Sequence, residues 1–185
     1  AKVGTNGVAD NMSKLTGEDA KMEVTKTNFI DIQDIKTQMD AGKRVGVRVR
    51  LMEPPHGHIL ILFPEASARK ITALMLSDMV DDMSEVSGEM ARSAVEELGN
   101  MMASGFIDGW ADVLGRTIDI ATPQLVYAPA GEIVERTAGL GGEDLALFFD
   151  SNLTVPSYDI DAEIYAFPNL EEFVEMVNGI EARPT

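Results

Sequence analysis

Three polar residues recur at helical spacing in a segment that is otherwise largely apolar. Ser93, Glu97 and Asn100 stand at positions i, i+4 and i+7, so on an α-helix they lie within about 60° of one another along roughly 10 Å of the axis. Ser104 and Asp108 extend the same stripe. Carboxylates, an amide and hydroxyls can pair with a cation or hydrogen-bond a small polar group. The spacing therefore predicts a polar stripe on one side of a helix.

The small size of these side chains separates the stripe from an ordinary solvated face. A solvated helix face usually carries long Lys, Glu, Gln and Arg side chains, because Ser and Asn are poorer helix formers. Ser93, Asn100 and Ser104 leave room for another molecule to approach. We interpret the stripe as a surface that admits another protein's active site. The alternative is the wet side of an amphipathic helix.

An apolar face on the same helix is needed to hold the stripe outward. The residues on the opposite side are apolar or small, which predicts that they pack against the core: Ala94, Val95, Leu98, Met101, Met102, Gly105, Phe106 and Val113.

Hydrophobic periodicity predicts the elements that position this helix. The first part of the chain shows a helix ending near residue 15, strands at 21–30, 44–51 and 58–63, and a helix from 64 to about 77. The same order follows in the second part: a long helix at 87–114, strands at 117–127, 143–154 and 159–167, and a helix at 168–178. "RVGVRVRL" alternates as a strand with one wet face does, whereas "HILILF" is apolar throughout and indicates a more buried strand.

This recurrence predicts a duplicated architecture. "ILFPEASARKITALM" can be laid on "YAFPNLEEFVEMVN", and each strand-to-helix step uses Phe-Pro, at Phe63-Pro64 and Phe167-Pro168. We interpret the chain as an α+β fold, one domain over 1–185, built from a helix–three strands–helix unit present twice. The half-repeats are 1–80 and 81–185, and they share one sheet about a pseudo-two-fold axis.

Composition excludes several classes of function. Fifteen basic residues against 31 acidic ones give a net charge of -16, which repels nucleic acid and anionic lipid. There is no cysteine, so thiolate nucleophiles and cysteine-ligated metal sites are excluded. No apolar run is long enough to span a membrane. We expect a soluble, cytoplasmic protein whose acidic surface is a solvated one, as in halophilic proteins.

The motif Ser93-x-x-x-Glu97-x-x-Asn100, followed after 22 residues by Pro123, resembles the signature of the CheC, CheX and FliY phosphatases. These proteins remove phosphate from CheY-type chemotaxis response regulators. The resemblance covers nearly the whole chain, because that family is built as the same duplicated unit, with long helices lying on a six-stranded sheet. It implies a hydrolase that acts on a phosphorylated response regulator.

The resemblance also implies a role for each residue of the motif. Asn100 would orient the attacking water, and Glu97 would pair with the regulator's lysine, together forming the catalytic pair. Ser93 and Ser104 would support them, and Pro123 would end or bend a strand facing the helix. Phosphoryl transfer depends mostly on positioning and charge stabilisation. The enzyme would need no cofactor or metal of its own, because the regulator carries the Mg²⁺.

The first half departs from the two-site pattern of the family. Lys2 stands where a second Asn should be, and Thr25 or Lys26 falls opposite Pro123. The resemblance therefore implies a single-site phosphatase, with a first half that is a structural copy. The alternative is a non-catalytic adaptor that binds the response regulator or the chemotaxis deamidase CheD.

Other motifs are weaker. His56-Gly57-His58 offers two metal-capable side chains but no third ligand nearby in sequence. The glycines at 139–142 indicate a flexible hairpin connection, and the acidic run at 78–85 indicates a solvated linker.

Overall fold

The computed structural model describes residues 21–34, 42–76, 88–141, 145–155 and 158–181. Its elements are β1 (Lys21–Asp31), β2 (Lys43–Leu51), β3 (Gly57–Pro64), α1 (Glu65–Leu76), α2 (Gly88–Leu114), β4 (Gln124–Pro129), α3 (Ala130–Gly141), β5 (Leu145–Val155), β6 (Tyr158–Pro168) and α4 (Leu170–Glu181). A helical turn also begins directly after β1, at 32–34. No helix in these described stretches is long and apolar enough to cross a bilayer.

One antiparallel sheet of six strands forms the centre of the molecule, in the order β1-β5-β6-β3-β2-β4. Exchanging β1 with β4, β2 with β5 and β3 with β6 reverses this order, so the topology has two-fold symmetry about the central β3–β6 pair. The predicted α+β fold with one shared six-stranded sheet is confirmed.

Both faces of the sheet are buried, which explains why β3 is apolar at every central position. Ile59, Ile61 and Phe63 belong to the larger core cluster together with the buried residues of α2, and Ile71 of α1 joins it. Leu60 and its neighbours on the opposite face form a second cluster under α3. Alternation along an extended strand sends successive side chains to opposite faces. A strand covered on both sides therefore needs a continuous apolar run.

Most predicted elements match the structure, but α3 was missed. The predicted hairpin connection at 139–142 is wrong for residues 139–141. Gly139 and Gly141 belong to the last turn of α3. The helix forms because Ala130, Ile133 and Val134 share one side and are buried against the sheet. Tertiary packing thus overrides the weak helix propensity of glycine. The second half-repeat consequently contains a helix between its first and second strands.

The predicted strand at 117–127 is too long. Its first part makes a single isolated bridge between Leu51 and Ile120, and regular pairing with β2 begins only at Gln124. Pro123 immediately precedes β4 and has no N–H to donate to a ladder. Pairing is therefore irregular before it and regular after it.

The predicted equivalence of the two Phe-Pro steps is wrong by one register position. Phe63 lies in the core cluster under α1 and α2, whereas Phe167 lies in the cluster on the other face. Pro64 and Pro168 end strands β3 and β6, and their helices start at Glu65 and Leu170. A shift of one residue along a strand moves a side chain to the opposite face.

Other predictions fall outside the described residues. These are the helix ending near residue 15, the position of Lys2, the acidic run at 78–85 and the boundary between half-repeats near residue 80. They stay predictions.

Candidate functional site

Helix α2 carries the predicted stripe on its outer side. Ser93, Glu97 and Asp108 are exposed, and Asn100 and Ser104 are half-buried. The opposite side is buried in the larger core cluster, through Val95, Leu98, Met102, Ala103, Phe106 and Ile107. The structure therefore brings Ser93, Glu97, Asn100 and Ser104 together on one outward surface, as the sequence predicts.

A close contact with the sheet fixes this orientation of α2. Gly99 is buried, and a Cβ placed on it would lie only 2.5 to 2.7 Å from three side-chain atoms of Val47. Val47 lies on β2 and is fully buried. Only a residue without a side chain allows the two backbones to approach this closely. In sequence, Gly99 lies between Glu97 and Asn100. Around the helix axis, however, it is about 140° from the centre of their stripe, so it packs on the side of the helix opposite to them.

The C-terminal end of α2 is closed by a glycine cap. Gly115 has a φ of 65°, the left-handed conformation, and the N–H of Arg116 donates to the carbonyl of Ala111 at 3.0 Å. This is the Schellman arrangement, which satisfies a carbonyl at the end of a helix. The chain then returns towards the sheet, where the N–H of Ala121 donates to the carbonyl of Arg50 at 2.9 Å. Pro123 is half-buried on this return segment, off the helix that carries the other motif residues.

The side chains of the stripe are available to a partner. Ser93, Glu97, Asn100 and Ser104 make no side-chain hydrogen bond or ion pair with any other residue that the structure describes. An amide can accept a hydrogen bond from water and donate two others, and a carboxylate can accept from a cationic donor. The surface can thus orient a small polar group and pair with a positive charge without first breaking an internal contact.

Metal binding finds no support in the described residues. They contain no group of three or more His, Asp or Glu side chains placed to hold an ion. His56 instead lies against α4: its backbone N–H donates to Glu172 at 2.7 Å, and its Nδ1 lies 3.0 Å from the same carboxylate. The N–H bond from His56, and then the contact with its ring, lower the pKa of Glu172 from its usual 4.5.

Sequence reasoning missed Gly99 as a residue that positions the site. A glycine in the middle of a helix that is otherwise rich in good helix formers was a usable signal, because such a glycine often marks a close packing contact. The identity of the contact could not be read from the sequence, since Val47 lies 52 residues earlier on a different element.

The comparisons with known proteins agree with this architecture. A family model described as the CheC-like family matches residues 90–127, the span that holds the whole motif. A curated protein of Halobacterium salinarum, named "Putative CheY-P phosphatase CheC1", is 46% identical over 180 residues, covering 97% of this chain and 92% of that protein.

Solved structures show the same fold. Thermotoga maritima FliY superposes with a TM-score of 0.78 at 16% identity, over 98% of this chain and 92% of that one. The CheX–CheY–BeF₃–Mg²⁺ complex of Borrelia burgdorferi matches with a TM-score of 0.57 at 17% identity, over 90% of this chain and 96% of that one. Fold and helix surface together define a protein of the CheC, CheX and FliY type. Within that class, the chain belongs to the CheC-like family.

Proposed function

We propose that this chain is a phosphatase that hydrolyses the aspartyl phosphate of a CheY-type response regulator in chemotaxis signalling. The observation that carries the proposal is the outward stripe of Glu97 and Asn100, which is bonded to no other described residue, on a helix held by Gly99. It lies within the span matched by the CheC-like family model. The name of the Halobacterium salinarum relative supports the same activity.

Asn100 is assigned the central role in the reaction. Its amide carbonyl accepts a hydrogen bond from a water molecule and aims the water oxygen at phosphorus, in line with the bond to the aspartate oxygen. The P–O bond to the aspartate breaks as the new one forms, and inorganic phosphate and the free carboxylate are released. Such a transfer needs positioning more than covalent chemistry. An uncharged amide also avoids repelling the phosphoryl oxygens, as a carboxylate would.

Glu97 is assigned to docking at the site. It lies one turn before Asn100 and is exposed, so its carboxylate can reach a lysine beside the phosphoryl group of the regulator. A charge-assisted hydrogen bond of this kind contributes about 1.5 to 3 kcal/mol. Ser93 and Ser104 border the pair with small hydroxyl side chains. Pro123, immediately before β4, has a structural role in ending the irregular return segment.

The partner supplies what this chain lacks. The regulator brings the phosphoryl group, the Mg²⁺ that neutralises its charge and the lysine that Glu97 contacts, so the phosphatase works in the cytoplasm without a cofactor of its own. The CheX–CheY complex of Borrelia burgdorferi, in which a protein of the same fold is paired with CheY, supports a CheY-type protein as the partner class. Binding of the deamidase CheD remains a further proposal.

The test is to follow dephosphorylation and binding in the same samples. Purified chain is added to phosphorylated regulator, phosphate release is timed, and complex formation is measured by a labelled regulator. Faster phosphate release in proportion to the added chain supports the phosphatase. Complex formation with unchanged release would identify a non-catalytic adaptor instead.

A further inference from the structure

Three basic side chains lie together on the face of the sheet opposite α2. Arg48 and Arg50 are two residues apart on β2 and so point to the same face. His58 of β3 is paired directly with Arg50 in the antiparallel ladder. Side chains at such positions lie about 7 Å apart along a strand and about 5 Å apart across it. The three side chains therefore leave the backbone from the corners of a compact triangle on one face of the sheet.

No acidic side chain neutralises this triangle within the described ranges. Arg48 donates from Nη2 to the amide oxygen of Gln124 at 2.8 Å, and Arg50 lies 3.5 Å from the sulfur of Met52. Arg44 lies on the same face, four residues before Arg48, and its Nε is 3.8 Å from the carboxylate of Glu163. Like charges at neighbouring positions of a sheet destabilise it. In a chain with 31 acidic and 15 basic residues, a cluster of cations without a carboxylate is unexpected.

The unfavourable effect of this arrangement is clearest at His58. Its Nδ1 is buried and has no hydrogen-bond partner among the described atoms. Burial first, and then the nearby charges of Arg48 and Arg50, lower the pKa of His58 below its usual 6.5. On its other side, strand β6 presents Phe167 at the paired position, which offers neither a charge nor a hydrogen bond. A bound anion would offset this repulsion.

We propose that Arg48, Arg50 and His58 form a binding site for an oxyanion, either a phosphate or a carboxylate group. Guanidinium groups hydrogen-bond both anions in bidentate fashion. Protonated His58 adds a third positive charge, and Gln124 holds Arg48 in place. The site lies on the opposite face of the sheet from Glu97 and Asn100, so it is separate from the stripe on α2 and does not depend on the function proposed for that stripe.

The two histidines of the chain provide the experiment and its control. Nitrogen-15 NMR follows the ring of each histidine while pH is varied, in inorganic phosphate, in acetate and in chloride at equal ionic strength. Anion binding stabilises protonated His58, so the pKa of His58 is expected to rise by at least about one unit, a tenfold preference for the protonated form. His56, held by Glu172, is the internal reference, and its signals should not depend on which anion is present.

The two anions distinguish the source of the ligand. A larger rise in phosphate than in acetate assigns the site to a phosphate group, and an equal or larger rise in acetate assigns it to a carboxylate. If the pKa of His58 is the same in phosphate, acetate and chloride, or if the signals of His56 respond to the anions as strongly as those of His58, the proposal is overturned.

Variants of the arginines separate binding from general salt effects. Arg48→Gln and Arg50→Gln keep a polar side chain but remove the charge, and each should raise the half-saturating anion concentration at least roughly tenfold. Arg69→Gln, an exposed arginine of α1, is the matched control and should leave the His58 response unchanged. Unaltered His56 signals report an intact fold in each variant. A full His58 response in the two β2 variants would exclude the site.

Discussion

Replacing Gly99 by alanine is the sharpest test of how α2 is held. The added methyl would sit 2.5 Å from the nearest atom of Val47, about 0.9 Å inside ordinary contact at 3.4 Å. Val47 is fully buried, and its Cβ is one of the atoms met, so a change of rotamer cannot remove the clash. Overpacking of this kind costs about 3 kcal/mol at the upper end. The higher helix propensity of alanine offsets about 1 kcal/mol of this cost. We therefore expect the free energy of unfolding to fall by about 2 kcal/mol.

Thermal or urea unfolding at fixed salt measures this loss. In a chain of this size, about 2 kcal/mol corresponds to a lowering of Tm by roughly 4 to 8 °C. Gly139→Ala is the matched control, because Gly139 is exposed in α3 and a Cβ there meets nothing within 4 Å. That variant should be neutral or stabilised by up to about 1 kcal/mol. If Gly99→Ala were as stable as the wild type, the close packing of α2 on β2 would be refuted.

A partial rescue is expected from a second change at the contact. Val47→Ala removes two of the three clashing atoms but keeps the Cβ, which lies 2.6 Å from the added methyl. In a double-mutant cycle, the two substitutions should therefore couple favourably, by about 0.5 to 3 kcal/mol, without restoring full stability. Additive effects would show that the two residues do not touch.

Further predictions concern charge and helix ends. With a net charge of -16, the unfolding midpoint should rise between dilute and molar salt as self-repulsion is screened, and a flat midpoint would contradict this. The pKa of Glu172 is lowered from 4.5. Its contribution to stability is therefore present above that value and lost as pH falls through the folded-state pKa. The stability gap between wild type and Glu172→Gln should thus shrink in acid, and a gap independent of pH would count against the bond from His56. Asn169 accepts the N–H of Glu172 at 3.0 Å as the N-cap of α4. Asn169→Ala should cost about 1 kcal/mol in chemical unfolding, whereas no loss would show that the cap is dispensable.

The elements that follow a strict local period were predictable from sequence. The alternation along β2 and the spacing along α2 each depend on geometry within one element, so both the strand and the outward stripe of Glu97 and Asn100 could be placed in advance. Helix α3 could not, because glycines at 131, 139 and 141 hide its period. Burial of Ile133 and Val134 against the sheet is what decides it.

Contacts between elements were beyond the sequence for a different reason. Strand register decides on which face of the sheet Phe63 and Phe167 lie, and the shared Phe-Pro dipeptide does not specify that register. The approach of Gly99 to Val47, and the pairing of Arg50 with His58, likewise need the neighbouring strand to be known. The alternating arginines of β2 were visible as a wet strand face. The position of His58 beside them on the neighbouring strand was not.

The central claim is that Asn100 orients the attacking water, and phosphate release by an Asn100 variant tests it most directly. Asn100→Ala is compared with wild type and with Asn178→Ala, which removes an exposed asparagine from α4. Wild type and Asn178→Ala should accelerate phosphate release from the phosphorylated regulator equally. Asn100→Ala should lose at least about 100-fold of that acceleration, while stability changes by less than about 0.5 kcal/mol and the regulator still binds through Glu97. Full acceleration by a folded Asn100→Ala protein would contradict the role assigned to this residue and to the stripe on α2.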